Sequence, residues 1–233
     1  MINQEIKTFG RRHGKKLSAR QQYLIDNLLP KLSPVGAQKC ALARQTTMSA
    51  SSPRAQKCAP TNPVILEIGF GKGENLMKIA RENPGTTIIG AEPFINGVAS
   101  LLSQIIDTRY QILDTYKNIR IWPDDVRTLL SSISYLISTI YVLHPDPWPK
   151  ARHEKRRLLT AEFLNLLESH LAPNGQIIIG TDHHEYFDWI VEQVKDTKLA
   201  ISKEQLAIIE TRYQQKNMAG TDAPKYLVLT RVS

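Results

Sequence analysis

From residue 62 onward the chain alternates short apolar runs with amphipathic stretches. Val64-Ile65-Leu66-Glu67-Ile68 is a nearly continuous apolar run, the pattern of a strand covered on both faces. Glycines follow it, and residues 74–82 space their apolar positions as a helix does. The alternation then repeats. Strands are predicted over 87–91, 119–122, 139–143 and 176–180, the last after the turn Pro173-Asn174-Gly175. Helices are predicted over 97–110, 155–171 and 185–194. Leu159, Phe163, Leu166 and Leu167 form the apolar face of the second of these. Residues 206–210 and 226–230 read as late strands. Repeated β-α units predict an α/β fold, a seven-stranded mostly parallel sheet with helices on both faces. In such sheets ligands bind beyond the carboxyl ends of the strands, so the residues that follow each strand carry the functional interest.

The first quarter of the chain is different. A helix is predicted over 19–29, preceded by the basic loop Phe9-Gly10-Arg11-Arg12-His13-Gly14-Lys15-Lys16. Residues 33–60 are rich in Ser, Ala, Gln and Pro and lack apolar periodicity. They repeat themselves, since Ala37-Gln38-Lys39-Cys40-Ala41 returns as Ala55-Gln56-Lys57-Cys58-Ala59. The division expected is a basic arm over 1–32, a linker or insertion over 33–61, and one α/β domain over 62–233.

Charge sharpens that division. Residues 1–60 hold 11 Lys or Arg against 2 Asp or Glu, and the remainder 19 against 20, so the whole excess of +8 sits in the arm and linker together. A basic arm on a nearly neutral domain suits a polyanion, because each phosphate it neutralises releases counterions. A solvated basic tail is the other reading of charge alone. The two cysteines belong to the repeat and form no CxxC pair, which argues against a zinc site or a disulfide framework. With no run of about 20 apolar residues and no apolar leader, a cytoplasmic setting without membrane contact is expected.

The loop Glu67-Ile68-Gly69-Phe70-Gly71-Lys72-Gly73 lets the backbone turn tightly and approach a ligand at a helix start. Its spacing is G-x-G-x-G, not the dinucleotide G-x-G-x-x-G. Glu67 at its mouth would repel a pyrophosphate but suits a cationic ligand, such as a sulfonium that also carries an α-amino group. Three further strands end in acids: Glu92, Asp124-Asp125 and Asp146. Glu92 is placed for ribose hydroxyls and Asp124 for an adenine amino group, while Asp125 is better read as a helix N-cap. Acids in register along one sheet edge favour S-adenosylmethionine over a nucleotide, with no metal.

The most distinctive run is His144-Pro145-Asp146-Pro147-Trp148-Pro149-Lys150-Ala151-Arg152-His153-Glu154-Lys155-Arg156-Arg157. Alternating prolines stiffen a loop at the active edge and hold Asp146 and Trp148 in fixed directions. Five cations in the next eight positions suit phosphate. If they opened a helix they would oppose its dipole, which speaks for a functional reason.

With PDPWPKARHEKRR, LEIGFGKG and AEPFINGV together, the chain resembles the tRNA (guanine-N7)-methyltransferases of the single-chain bacterial type, class I (Rossmann-like) enzymes dependent on S-adenosylmethionine. The likeness runs from about residue 62 to the end. It extends weakly into the arm through Arg11-Arg12-His13-Gly14 and Gln21-Gln22. It implies cofactor contacts from Glu67, Gly69, Gly71, Glu92, Asp124 and Asp146, the last also central to transfer. It implies substrate contacts from Lys150, Asp182 and the closing motif Thr211-Arg212-Tyr213-Gln214. Gln214 stands where the family pattern has Glu, which removes one anion from the expected guanine site. Arg11, Arg12, Arg152, Arg156 and Arg157 are the expected phosphate contacts. The implied reaction is methylation of N7 of a variable-loop guanosine in tRNA, by a monomer or a homodimer. Two alternatives stay open: methylation of an exocyclic amino group on another RNA base, and RNA binding without catalysis.

Overall fold

A computed structural model describes residues 9–35, 62–107, 116–202 and 223–232. The AQKCA repeat with Cys40 and Cys58, the predicted strand 206–210 and the motif 211–214 lie outside the described residues. In chain order the elements are α1 (Ala19–Asn27), a 3-10 turn (Leu29–Leu32), β1 (Val64–Ile68), α2 (Glu74–Glu82), β2 (Thr87–Ala91), α3 (Ile95–Asp107) and β3 (Ile119–Trp122). There follow α4 (Val126–Ser132), β4 (Ile137–Leu143), a 3-10 helix (Ala151–Arg156), α5 (Ala161–Glu168), β5 (Leu171–Thr181), α6 (His184–Lys195), β6 (Leu199–Ile201) and β7 (Lys225–Arg231).

The seven strands form one sheet in the order β3-β2-β1-β4-β5-β7-β6. The first five run parallel, and β7 is antiparallel to both β5 and β6. The predicted seven-stranded, mostly parallel sheet with helices on both faces is the one observed. The pleat divides the buried residues of each strand between two cores. Val64, Leu66 and Ile68 of β1 pack with α4, α5 and α6, together with Ile140, Val142, Ile177 and Ile179. Ile65 faces the other way, with Ile88, Ile119 and Ile121, onto α2 and α3. Leu24 of α1 is buried in this second core, and Ile25, Leu28, Leu29 and Leu32 pack against it. Helix α1 and the turn after it are therefore docked on the α2–α3 side of the sheet. Ser18 starts the helix with a reciprocal capping box with Gln21.

The differences from the sequence reading are local and have physical causes. The helix expected over 155–171 is two elements, broken at Arg157 and restarted at Ala161, where Thr160 Oγ1 accepts the Phe163 N–H. The basic run therefore does not open an α-helix, and the argument from an unfavourable dipole does not apply to it. The turn Pro173-Asn174-Gly175 lies inside β5. There the register with β4 shifts from Ile137↔Leu171 to Thr139↔Gln176, so the intervening residues bulge out. Helix α4 and strand β6 were not predicted, being only seven and three residues long.

The chain winds outward from β1 through β2 to β3, then returns to β4 on the other side of β1. The strand order reverses between β1 and β4, and a crevice opens beyond their carboxyl ends.

Candidate active site

Immediately after β1, Gly69, Gly71 and Gly73 have φ of 75°, 58° and 83°, the left-handed region that glycine enters without penalty. The loop is held from outside. Gly69 N–H donates to the Ala91 carbonyl (2.8 Å), and Gly71 N–H to Glu92 Oε2 (2.8 Å). The other Glu92 oxygen accepts the Phe94 N–H (2.9 Å). Glu92 thus clamps the glycine loop to the end of β2 while it lines the cleft. Burial raises its pKa, and these two backbone N–H groups oppose the rise.

Glu67, on the face of β1 that points to α2, is 3% exposed. Oε1 accepts from Asn75 Nδ2 (3.1 Å), whereas Oε2 is buried with no hydrogen-bond partner among the described residues. Burial pushes its pKa up to about 7; Asn75 lowers it and the nearby Glu92 charge adds to the rise. No sequence signal singled out Asn75, because an Asn in a first helical turn is unremarkable.

Beyond β3 the two acids take different roles. Asp125 is the N-cap of α4: it accepts the Arg127 N–H (2.9 Å) and grips the Arg127 guanidinium at 2.8 and 2.7 Å. Asp124 is about two-fifths exposed and pairs with Arg12 of the N-terminal segment. That segment lies against the cleft. Phe9, Gly10 and Arg11 line it, the Arg12 carbonyl accepts the Ile95 N–H (3.1 Å), and Asn96 binds Gly14 N–H (2.7 Å) and the Lys15 carbonyl (2.6 Å). The expected polyanion contacts Arg11 and Arg12 therefore sit at the rim of the expected cofactor site, a placement that the sequence did not reveal.

Beyond β4 comes the proline-framed loop. His144 and Trp148, at its two ends, have φ of 50° and 43°, and they are the non-glycine residues with positive φ among those described. Such conformations persist only where the surroundings hold them, and they gather at functional sites. His144 N–H donates to the Gly180 carbonyl (2.7 Å), tying the loop to β5. Its ring Nδ1 lies 3.8 Å from Asp182 Oδ1, a distance for charge attraction and too long for a good hydrogen bond. Burial lowers the His144 pKa and Asp182 opposes this. Asp146 is exposed and lines the cleft. The Trp148 ring is packed within its own segment, edge-on to His153 and under the Arg156 guanidinium at 5.0 Å.

The cations that follow divide in two. Lys150 and Arg152 are exposed, and Arg156 is half-buried against Trp148 and Phe9. Arg157 departs from the expected phosphate cluster: it is 6% exposed, and its Nε donates to the Pro147 carbonyl at 3.0 Å. The aromatic residues Tyr186 and Trp189 draw it inward.

The result is an open cleft of about 830 Å³ at the switch point, lined by Gly69, Glu92, Asp125, His144 and Asp146. A glycine loop and acids at the ends of parallel strands, over this sheet order, define a class I methyltransferase fold, and that class implies S-adenosylmethionine as methyl donor. The residues fit it. A cationic ligand end suits the unpartnered, buried Glu67 Oε2, and each Glu92 oxygen keeps a lone pair for a hydroxyl donor.

Residues 61–222 match a family described as putative methyltransferases. The chain is 36% identical over 223 residues to a tRNA (guanine-N(7)-)-methyltransferase of Erythrobacter litoralis, covering 89% of this chain and 86% of that one. It is 35% identical over 237 residues to the protein of that name in Caulobacter vibrioides, covering 97% and 95%. The chain belongs to the tRNA (guanine-N7)-methyltransferase family. Among solved structures, the aminoglycoside resistance methyltransferase NpmB1 superposes with a TM-score of 0.51 at 18% identity, over 73% of this chain and 87% of that one, a likeness of fold.

Proposed function

We propose that this chain transfers the methyl group of S-adenosylmethionine to N7 of a guanosine in the variable loop of tRNA, in the cytoplasm. The observation that carries the reading is the placement of Asp146. It stands on a proline-framed loop at the switch point and lines the same cleft as Glu92, with the exposed Lys150 and Arg152 following it in the chain. The names of the relatives point to the same reaction.

When bound, the cofactor supplies a methyl group on a positively charged sulfur. Glu67 takes its α-amino group, Glu92 its ribose hydroxyls and Asp124 its adenine amino group, while Gly69 and Gly71 let the backbone approach. Guanine N7 offers a lone pair and carries no proton, so no side chain acts as a general base. Asp146 is a positioning and charge-stabilising group. The transfer would move positive charge from the cofactor's sulfur to the purine, and Glu92 and Asp146, which line one cleft, would stabilise that charge. Asp182 accepts hydrogen bonds from the guanine donor edge, with Lys150 and residues Thr211, Arg212, Tyr213 and Gln214 completing the substrate site. Taking the base out of its stack costs a few kcal/mol, which Arg11, Arg12, Arg152 and Arg156 offset through phosphate contacts.

The test is methylation of unmodified tRNA followed by mass spectrometry of the nucleosides. The expected product is 7-methylguanosine. N6-methyladenosine, or binding without any product, would overturn the reading.

A further inference from the structure

A guanidinium is costly to bury unless every group around it serves it. Arg157 is the buried arginine among the described residues, and its surroundings are specific. Its carbon Cζ lies 5.0 Å from the Trp189 ring centre and 5.4 Å from that of Tyr186, two rings on consecutive turns of α6. Its acidic neighbour Glu154 stands 3.7 Å away at a half-exposed position. Its one hydrogen bond to the reacting segment runs from Nε to the carbonyl of Pro147, directly after Asp146.

That bond closes a frame. At the start of the loop, His144 is held in positive φ by its N–H on the Gly180 carbonyl; at the end, Trp148 is held in positive φ directly after the carbonyl that Arg157 grips. Asp146 lies between the two anchors. Prolines at 145, 147 and 149 fix φ at alternate positions, which leaves the peptide orientations as the remaining freedom. Arg157 fixes one of them, the Pro147–Trp148 peptide, one residue beyond Asp146. Trp189 and Tyr186 of α6 hold the guanidinium in turn.

We infer that Arg157 is a positioning residue for methyl transfer: from beneath the loop, through the Pro147 carbonyl, it holds Asp146 in its productive direction. This rests on the role proposed above for Asp146. It predicts an effect on the transfer step rather than on tRNA affinity, as a phosphate contact would have.

Arg157→Lys keeps the charge and loses the fixed Nε–H and the guanidinium's contact with the two rings. In the full chain, single-turnover transfer to saturating tRNA is expected to slow tenfold or more, with tRNA Kd nearly unchanged at a temperature where the variant is folded. Combined with Asp146→Asn, the lysine substitution is expected to add little further loss, because both act through one carboxylate. If Arg157→Lys does not fold, Trp189→Leu loosens the same guanidinium and should slow transfer in the same direction by less. A raised tRNA Kd with an unchanged transfer rate would overturn the inference, as would losses that multiply in the double variant. The wild-type product reports separately on the reaction, so a different methylated base would overturn that reading and leave the rate comparison standing.

Discussion

Arg12 and Asp124, 112 residues apart, are paired at the rim of the cleft. One is the expected phosphate contact of the arm and the other the expected adenine contact of the domain, so the two binding functions share a border. Both side chains are nearly half exposed, and such a pair is worth less than about 1 kcal/mol. Arg12→Ala is therefore expected to leave thermal stability unchanged and to weaken tRNA binding, reducing the salt slope of log K by about one. An unaltered slope in filter-binding titrations would mean that Arg12 serves Asp124 alone.

Asp146 is exposed. Asp146→Ala should change folding stability by no more than about 0.5 kcal/mol. It should lower the transfer rate about 10²–10³-fold or more, the usual loss when a preorganised electrostatic group is deleted. Binding of tRNA should stay within twofold of wild type. Turnover close to wild type would remove Asp146 from the centre of the mechanism.

Parts of this site were legible in the sequence because a parallel sheet converts order along the chain into position along an edge. Glu67 is the penultimate residue of β1, Glu92, Asp124 and Asp146 each follow a strand, and strand ends are adjacent by construction. Helix α2 was read to the residue, since its buried Leu76, Met77, Ile79 and Ala80 all fall on one face. What stayed hidden depends on contacts between distant segments. In Lys155-Arg156-Arg157 all three residues look like solvated cations, yet α6, far along the chain, supplies the rings that draw in the last. The pairing of Arg12 with Asp124 has no sequence signature. The helix through residue 171 was overextended because Leu158 and Leu159 continue its apolar spacing, while Thr160 restarts the backbone as a cap.

Gly97 offers a reversal of an ordinary rule. It stands in the first turn of α3, where alanine is normally favoured over glycine by up to about 1 kcal/mol. A Cβ at this position would lie 2.3 Å from the Gly71 carbonyl oxygen, a backbone atom of the glycine loop. Gly97→Ala is thus expected to destabilise the protein by about 1–3 kcal/mol. It should also weaken S-adenosylmethionine binding in calorimetry, because Gly71 must move away from Glu92. A gain in melting temperature would show that the loop yields at no cost.

The buried Glu67 makes both stability and cofactor binding depend on pH. Its folded pKa of about 7 lies above the ordinary 4.5, so between these values the unfolded chain has lost a proton that the folded chain keeps. Stability therefore falls as pH rises from about 4.5 to 7 and levels off above that. The loss is about 3 kcal/mol for a shift of this size. Glu67→Gln should gain stability over the wild type progressively between pH 5 and pH 8, and nothing at pH 4. Binding a cationic ligand favours the ionised carboxylate, so wild-type affinity for S-adenosylmethionine should tighten from pH 6 to pH 8 with net proton release. Calorimetry in buffers of different ionisation enthalpy measures that release. Affinity independent of pH, with no proton released, would place the cofactor's positive end away from Glu67.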